Sequence, residues 1–117
     1  MTDMCDVNTL QMLLKQAAQK MKGLFGDKLC SIILFGSYAR GDYNDESDID
    51  LFVLVDMETT ELAKYRSEVS KFSSRLGLEY DILMSVKLQD KATFDTWENV
   101  LPFFVNLKKE GVQVYAA

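Results

Sequence analysis

Asp48 and Asp50 stand one residue apart at the head of the apolar run Asp48-Ile49-Asp50-Leu51-Phe52-Val53-Leu54-Val55. On an extended strand, residues i and i+2 project to one side about 6–7 Å apart, so the two carboxylates share a space and repel. A cation relieves that repulsion, and ligation by oxygen alone selects a hard ion such as Mg²⁺. A solvated strand end would tolerate the same pair without an ion, so the pair by itself leaves both readings open. Upstream, Phe35-Gly36-Ser37-Tyr38-Ala39-Arg40-Gly41 carries an apolar run into a glycine, a small hydroxyl and a helical turn. Gly36 lets a ligand approach the backbone closely, and N–H groups at a helix start attract anions, which makes a phosphate cradle. The spacing and lysine of a G-x-x-x-x-G-K-[ST] loop are missing, and a Gly-Ser pair after a strand is by itself an ordinary turn.

A third acid extends the set. In Leu78-Glu79-Tyr80-Asp81-Ile82-Leu83-Met84-Ser85-Val86, Asp81 is expected inside a strand, where an acid needs a partner or an ion. Glu79 lies nearer the strand end, and Asp42, Asp45 and Glu46 read as a solvated acidic loop. The chain has no histidine, which removes the usual general base and every Ser-His or Cys-His nucleophile. Three carboxylates without histidine suit a two-metal phosphoryl-transfer site.

The elements that must position these residues follow from periodicity. Leu10, Leu13, Leu14, Ala17, Met21, Leu24 and Phe25 line one face of a first helix, with Asn8 as N-cap and Gly26 as stop. Leu29 to Phe35 reads as a central strand and Asp48 to Val55 as a second. The Gly36 to Ser47 connection is too short for a crossover helix of ordinary length, so strands one and two are expected to be antiparallel neighbours. Leu62, Tyr65, Val69, Phe72 and Leu76 predict a helix closed by Gly77, followed by the third strand from Leu78 to Val86 and parallel to one of the others. Asp90 to Trp97 and Leu101 to Glu110 predict two short helices, the second with Pro102 in its first turn. Val112 to Tyr115 predicts an edge strand. The aromatics Phe94, Trp97, Phe103 and Phe104 read first as core. The fold class is α/β (α+β), a small mixed sheet packed against helices, in a single domain over residues 1–117.

Composition sets limits. With 117 residues, 48% hydrophobic, the chain builds one core without disulfides. A net charge of −5 argues against nonspecific nucleic-acid binding. Cys5 and Cys30 show no paired spacing, no apolar run is long enough to span a bilayer and no leader is visible, so a cytoplasmic location is expected.

Gly36-Ser37, ten intervening residues and then Asp48-Ile49-Asp50 resembles the Gly-Ser…Asp-x-Asp signature of the DNA polymerase β-like nucleotidyltransferases. Gly36 to Gly41 followed by Ser47 to Leu51 is similar to its minimal nucleotidyltransferase (MNT) branch. The resemblance implies that Asp48 and Asp50 hold divalent metal, that Asp81 is the third carboxylate, and that Gly36 and Ser37 hold the β- and γ-phosphates of a nucleotide. Arg40 falls at a family position from which it reaches the triphosphate or pairs with Asp42, and arginine suits both tasks. The resemblance further implies ATP as donor, two Mg²⁺ ions, and transfer of AMP to a tyrosine hydroxyl of a small helical HEPN-type toxin, with this chain as antitoxin. Larger relatives append an acceptor-binding domain, so acceptor binding here is expected from a partner surface, a homo-oligomer interface or the C-terminal helices. Two further readings stand beside it: a binding-only antitoxin, against which the three mutually repulsive acids argue, and a nucleotidyltransferase of the antibiotic-modifying kind, against which size argues.

Overall fold

The computed structural model describes residues 7–44 and 48–117. Helix α1, Val7–Phe25, buries Leu13, Ala17, Met21 and Phe25, the i, i+4 stripe expected of an amphipathic helix. It begins at Val7, so Asn8 lies inside the first turn and is not the cap. Gly26, at φ +55°, turns the chain through a short 3₁₀ segment into β1, Leu29–Phe35. A four-residue helix, α2 (Ser37–Arg40), and the loop to residue 44 lead toward β2, Ile49–Val55. Then come α3 (Thr59–Leu62), α4 (Arg66–Tyr80), β3 (Met84–Asp90), α5 (Lys91–Trp97), α6 (Pro102–Glu110) and β4 (Val112–Ala116).

The sheet order is β3-β2-β1-β4, with β1 antiparallel to both β2 and β4 and β2 parallel to β3. The short connection between β1 and β2 and the helical crossover to β3 thus give the pairings their lengths predict. The two faces carry separate cores. Ile49, Leu51, Val53 and Val55 pack with Ile32, Leu34 and residues of α1 and α4. Phe52 and Leu54 point the other way, into Phe94, Phe104 and Leu107 of α5 and α6. Phe94 and Phe104 are core as expected, whereas Trp97 (45% exposed) and Phe103 (38%) are open to solvent.

The third strand is displaced from its predicted position. Residues 78–80 continue α4 past Gly77, and strand pairing begins only at Met84. Gly77 does not stop the helix because its bare Cα is packed against the returning chain: a β-carbon there would meet the Ile82 carbonyl oxygen at 2.5 Å. The helix ends at Asp81, in the left-handed conformation (φ 55°, ψ 48°). The Asp81 and Ile82 amides both donate to the Gly77 carbonyl, an αL closure that usually employs glycine. Among the described residues no helix is long and apolar enough to cross a membrane.

Candidate nucleotide site

The β1–β2 register sets Phe35 opposite Asp50, so the chain leaving β1 at Gly36 passes directly over the head of β2. Gly36 adopts φ 77°, ψ −157°, a conformation open to glycine and strained for other residues. The space its side chain would fill belongs to Asp50, since a β-carbon on Gly36 would lie 2.6 Å from Asp50 Oδ2. Gly36 then caps α2, its carbonyl accepting from the amides of Ala39 and Arg40, and Ser37 opens the turn. The buried Tyr38 ring stacks on Tyr43 at 4.3 Å between centroids, bracing the loop beyond the turn.

Along the head of β2, Asp48 is exposed, Ile49 is fully buried and Asp50 is half-buried. The alternation places both aspartates on the α5/α6 side of the sheet, where Phe103 of α6 packs on Phe35, the register partner of Asp50. Burial raises the Asp50 carboxyl above its ordinary pKa, and the charge of Asp48 raises it further. The alternation along β2 agrees with the same-side placement inferred from spacing, and the Asp48 charge acts on the Asp50 carboxyl.

Asp81 does not join them. It is exposed, sits on the closure of α4, and no group of three acidic, histidine or cysteine side chains able to hold a metal forms among the described residues. The strand position opposite Asp50 on β3 belongs instead to Ser85, and Lys87 lies two residues further along the same face with its amine 5.6 Å from the Phe103 ring centroid. Ser85 escaped the sequence reading because the third strand was expected to begin six residues early. Arg40 Nε donates to Asp42 Oδ2 at 3.2 Å in an exposed pair. Of the acidic loop, Asp42 is exposed, and residues 45–47 lie outside the described residues. A cavity of about 710 Å³ lined by Asp56, Glu58 and Asp90 lies at the far end of β2 and β3, away from all six predicted site residues.

Two close carboxylates suit a hard cation: Mg²⁺ is commonly held by one or two protein carboxylates, with water and substrate phosphate completing its shell. The donor set thus fits Mg²⁺ without a third protein acid.

The model for the nucleotidyltransferase domain matches residues 14–109, and the chain belongs to that family of enzymes. Two proteins of Methanocaldococcus jannaschii, each named "Putative protein adenylyltransferase", are similar to it. MJ0141 is 44% identical over 73 residues, 62% of this chain and 72% of its own length. MJ0604 is 30% identical over 102 residues, 87% of this chain and 94% of its own. Among solved structures, a Sulfolobus solfataricus protein titled a "putative nucleotidyltransferase" superposes with TM-score 0.59 at 23% identity, covering 91% of this chain and 79% of that one. A toxin–antitoxin structure with AMP-PNP superposes with TM-score 0.51 at 23% identity, covering 88% and 73%. At such identities these last two show a common fold, the mixed sheet and helices of the nucleotidyltransferases.

Proposed function

We propose that this nucleotidyltransferase moves AMP from ATP to a hydroxyl of a protein, with Asp48 and Asp50 holding Mg²⁺. The observation that carries the reading is the Gly36 turn packed directly against the Asp50 carboxylate, which sets Ser37 and the start of α2 beside two repelling acids. The protein acceptor is supported by the names of the curated relatives and by their similarity over most of this chain. A divalent ion bound here would neutralise triphosphate charge and align the attacking and leaving oxygens. Gly36 admits the phosphates to the backbone, and Ser37 offers its hydroxyl to the β- and γ-phosphate oxygens. Arg40 can exchange its weak exposed pair with Asp42 for a phosphate. In the transfer, the acceptor oxygen bonds to the α-phosphorus, the bond to the bridging oxygen breaks, pyrophosphate leaves and the hydroxyl proton passes to solvent.

The MNT resemblance gives this acceptor a specific form, a tyrosine of a HEPN-type toxin for which the chain serves as cytoplasmic antitoxin. Incubating such a protein from a neighbouring reading frame with ATP and Mg²⁺ tests the reading. Intact mass should rise by about 329 Da per transferred AMP, the mass the chemistry fixes. Asp48→Asn should abolish the gain, while Asp81→Asn, outside the pair, should keep it. A stable complex without modification would support binding alone, and labelling of an aminoglycoside-like compound would support a small-molecule acceptor.

A further inference from the structure

Strand β3 forms one edge of the sheet, and the edge faces a groove of about 380 Å³ between the strand and α4. The groove is lined by Arg66, Ser70, Ser73 and Ser74 of the helix and by Ser85 and Val86 of the strand. The Ile49 amide donates to the Leu83 carbonyl at 2.9 Å. In a parallel ladder alternate residues turn their polar groups to the neighbouring strand, so Leu83, Ser85 and Lys87 bond toward β2. Met84, Val86 and Leu88 therefore turn their N–H and C=O groups away from β2; Leu88 is buried, and half-buried Val86 offers the accessible pair along the groove, where another extended segment can begin to pair.

We infer that this edge holds the acceptor: a short extended segment of the protein substrate pairs with β3 and lays its hydroxyl residue across Ser85 toward Asp50. The inference rests on the proposed function and supplies its missing acceptor site. Three observations converge on it. Ser85 lines the groove and is also the register partner of Asp50, so the β3 edge at Ser85 is where the α4-side groove and the aspartate face meet. Ser85 is small and exposed, so a side chain from an added strand, about 10 Å from β2 at two strand spacings, can cross it. Arg66 is exposed and takes part in none of the ion pairs among the described residues, which favours an acidic residue on the segment.

The face each group occupies sets a spacing. The hydroxyl must point to the Asp50 side of the sheet and the acidic residue to the α4 side, so their positions differ by an odd number. Because α4 precedes β3 and returns over it, Arg66 lies toward the Leu88 end, about three residues or 10 Å from Ser85. The preferred acceptor therefore carries Asp or Glu three positions from its tyrosine in an extended segment.

The test uses four synthetic heptapeptides built on Thr and Val, each with one Tyr and with Asp or Lys three positions before or after it. Each is mixed with the full chain, ATP and Mg²⁺. An Asp peptide should be labelled roughly tenfold faster than its Lys counterpart, the size of one charge-assisted hydrogen bond. Arg66→Glu should remove or reverse that preference. Val86→Pro deletes an outward donor that the β2 ladder does not use, and it should slow labelling while leaving the melting temperature within a few degrees. Hydrogen exchange at the Val86 amide, measured with excess Asp peptide and no ATP, should slow. Slowed exchange without labelling would uphold the docking edge and count against the transfer reading. Labelling with equal rates for Asp and Lys peptides, or unchanged exchange at the Val86 amide, would overturn the docking edge whatever becomes of the transfer.

Discussion

Gly36 and Asp50 interlock: the only place for a side chain on Gly36 is already taken by Oδ2 of Asp50, 2.6 Å from where a β-carbon would stand. Gly36→Ala must both strain a backbone at φ 77° and displace that carboxylate. We expect a stability loss of about 1–3 kcal/mol and loss of most nucleotidyl transfer. Thermal melting and a turnover assay on the same sample check it; full activity in a stable Ala variant would disprove the close packing.

Asp50→Asn should separate stability from activity. In chelator-treated protein the Asp50 carboxyl titrates above its unfolded value of 3.8, because burial and then Asp48 disfavour its charge. A raised acid favours the folded state when protonated, so its burden is absent below the unfolded value and grows as pH rises through the folded one. The Asn variant should consequently melt higher than the wild type at pH 7, with a gain that shrinks toward pH 4, and should transfer no AMP. A lower melting point at pH 7 would assign the pair a structural role.

Gly77→Ala should destabilise, against the ordinary rule that alanine improves a helix by about 1 kcal/mol. The added carbon would press on the Ile82 carbonyl at 2.5 Å, a backbone group that can move only with the α4 closure and the start of β3. A cost of about 1–3 kcal/mol in denaturant unfolding is expected.

Asp90 caps α5, accepting from the Thr93 amide at 2.9 Å and from Gln89 Nε2 at 3.0 Å. Burial pushes its carboxyl up, but the hydrogen bonds from Thr93 and its neighbours outweigh that and hold it below the usual value. Its stabilisation is then full above the unfolded value of 3.8 and lost as pH falls through the folded one. Asp90→Ala should cost about 0.5–2 kcal/mol at pH 7 and less near pH 3, while Asn at this position should recover most of it.

Local chemistry made the Gly36 to Val55 region readable in advance. An apolar run broken by Gly-Ser, and acids alternating with a buried isoleucine, carry their geometry within a few residues. The boundary after α4 does not. Gly77 and the apolar Leu78, which is 85% exposed, read as a helix stop and a strand start. Gly77 packs against Ile82, five residues on, within a helix that runs to Tyr80, and that displacement of the strand moved Asp81 off it and put Ser85 beside Asp50. Trp97 and Phe103 show the same limit, since their helical spacing does not say where the sheet beneath them ends.

The pairing of β1 has a consequence for the order in which the protein is made. The strand that delivers Gly36 meets its first partner early, Leu34 beside Leu51, but its second only when Val112 arrives opposite Leu34. Until then a growing chain holds β1 as an open edge with one side of its ladder unbonded, exposed to pairing with other chains. The Gly36 turn is therefore among the first parts of the sheet to be synthesised and among the last to be secured, so a polypeptide stopped short of Val112 should be both inactive and prone to aggregate.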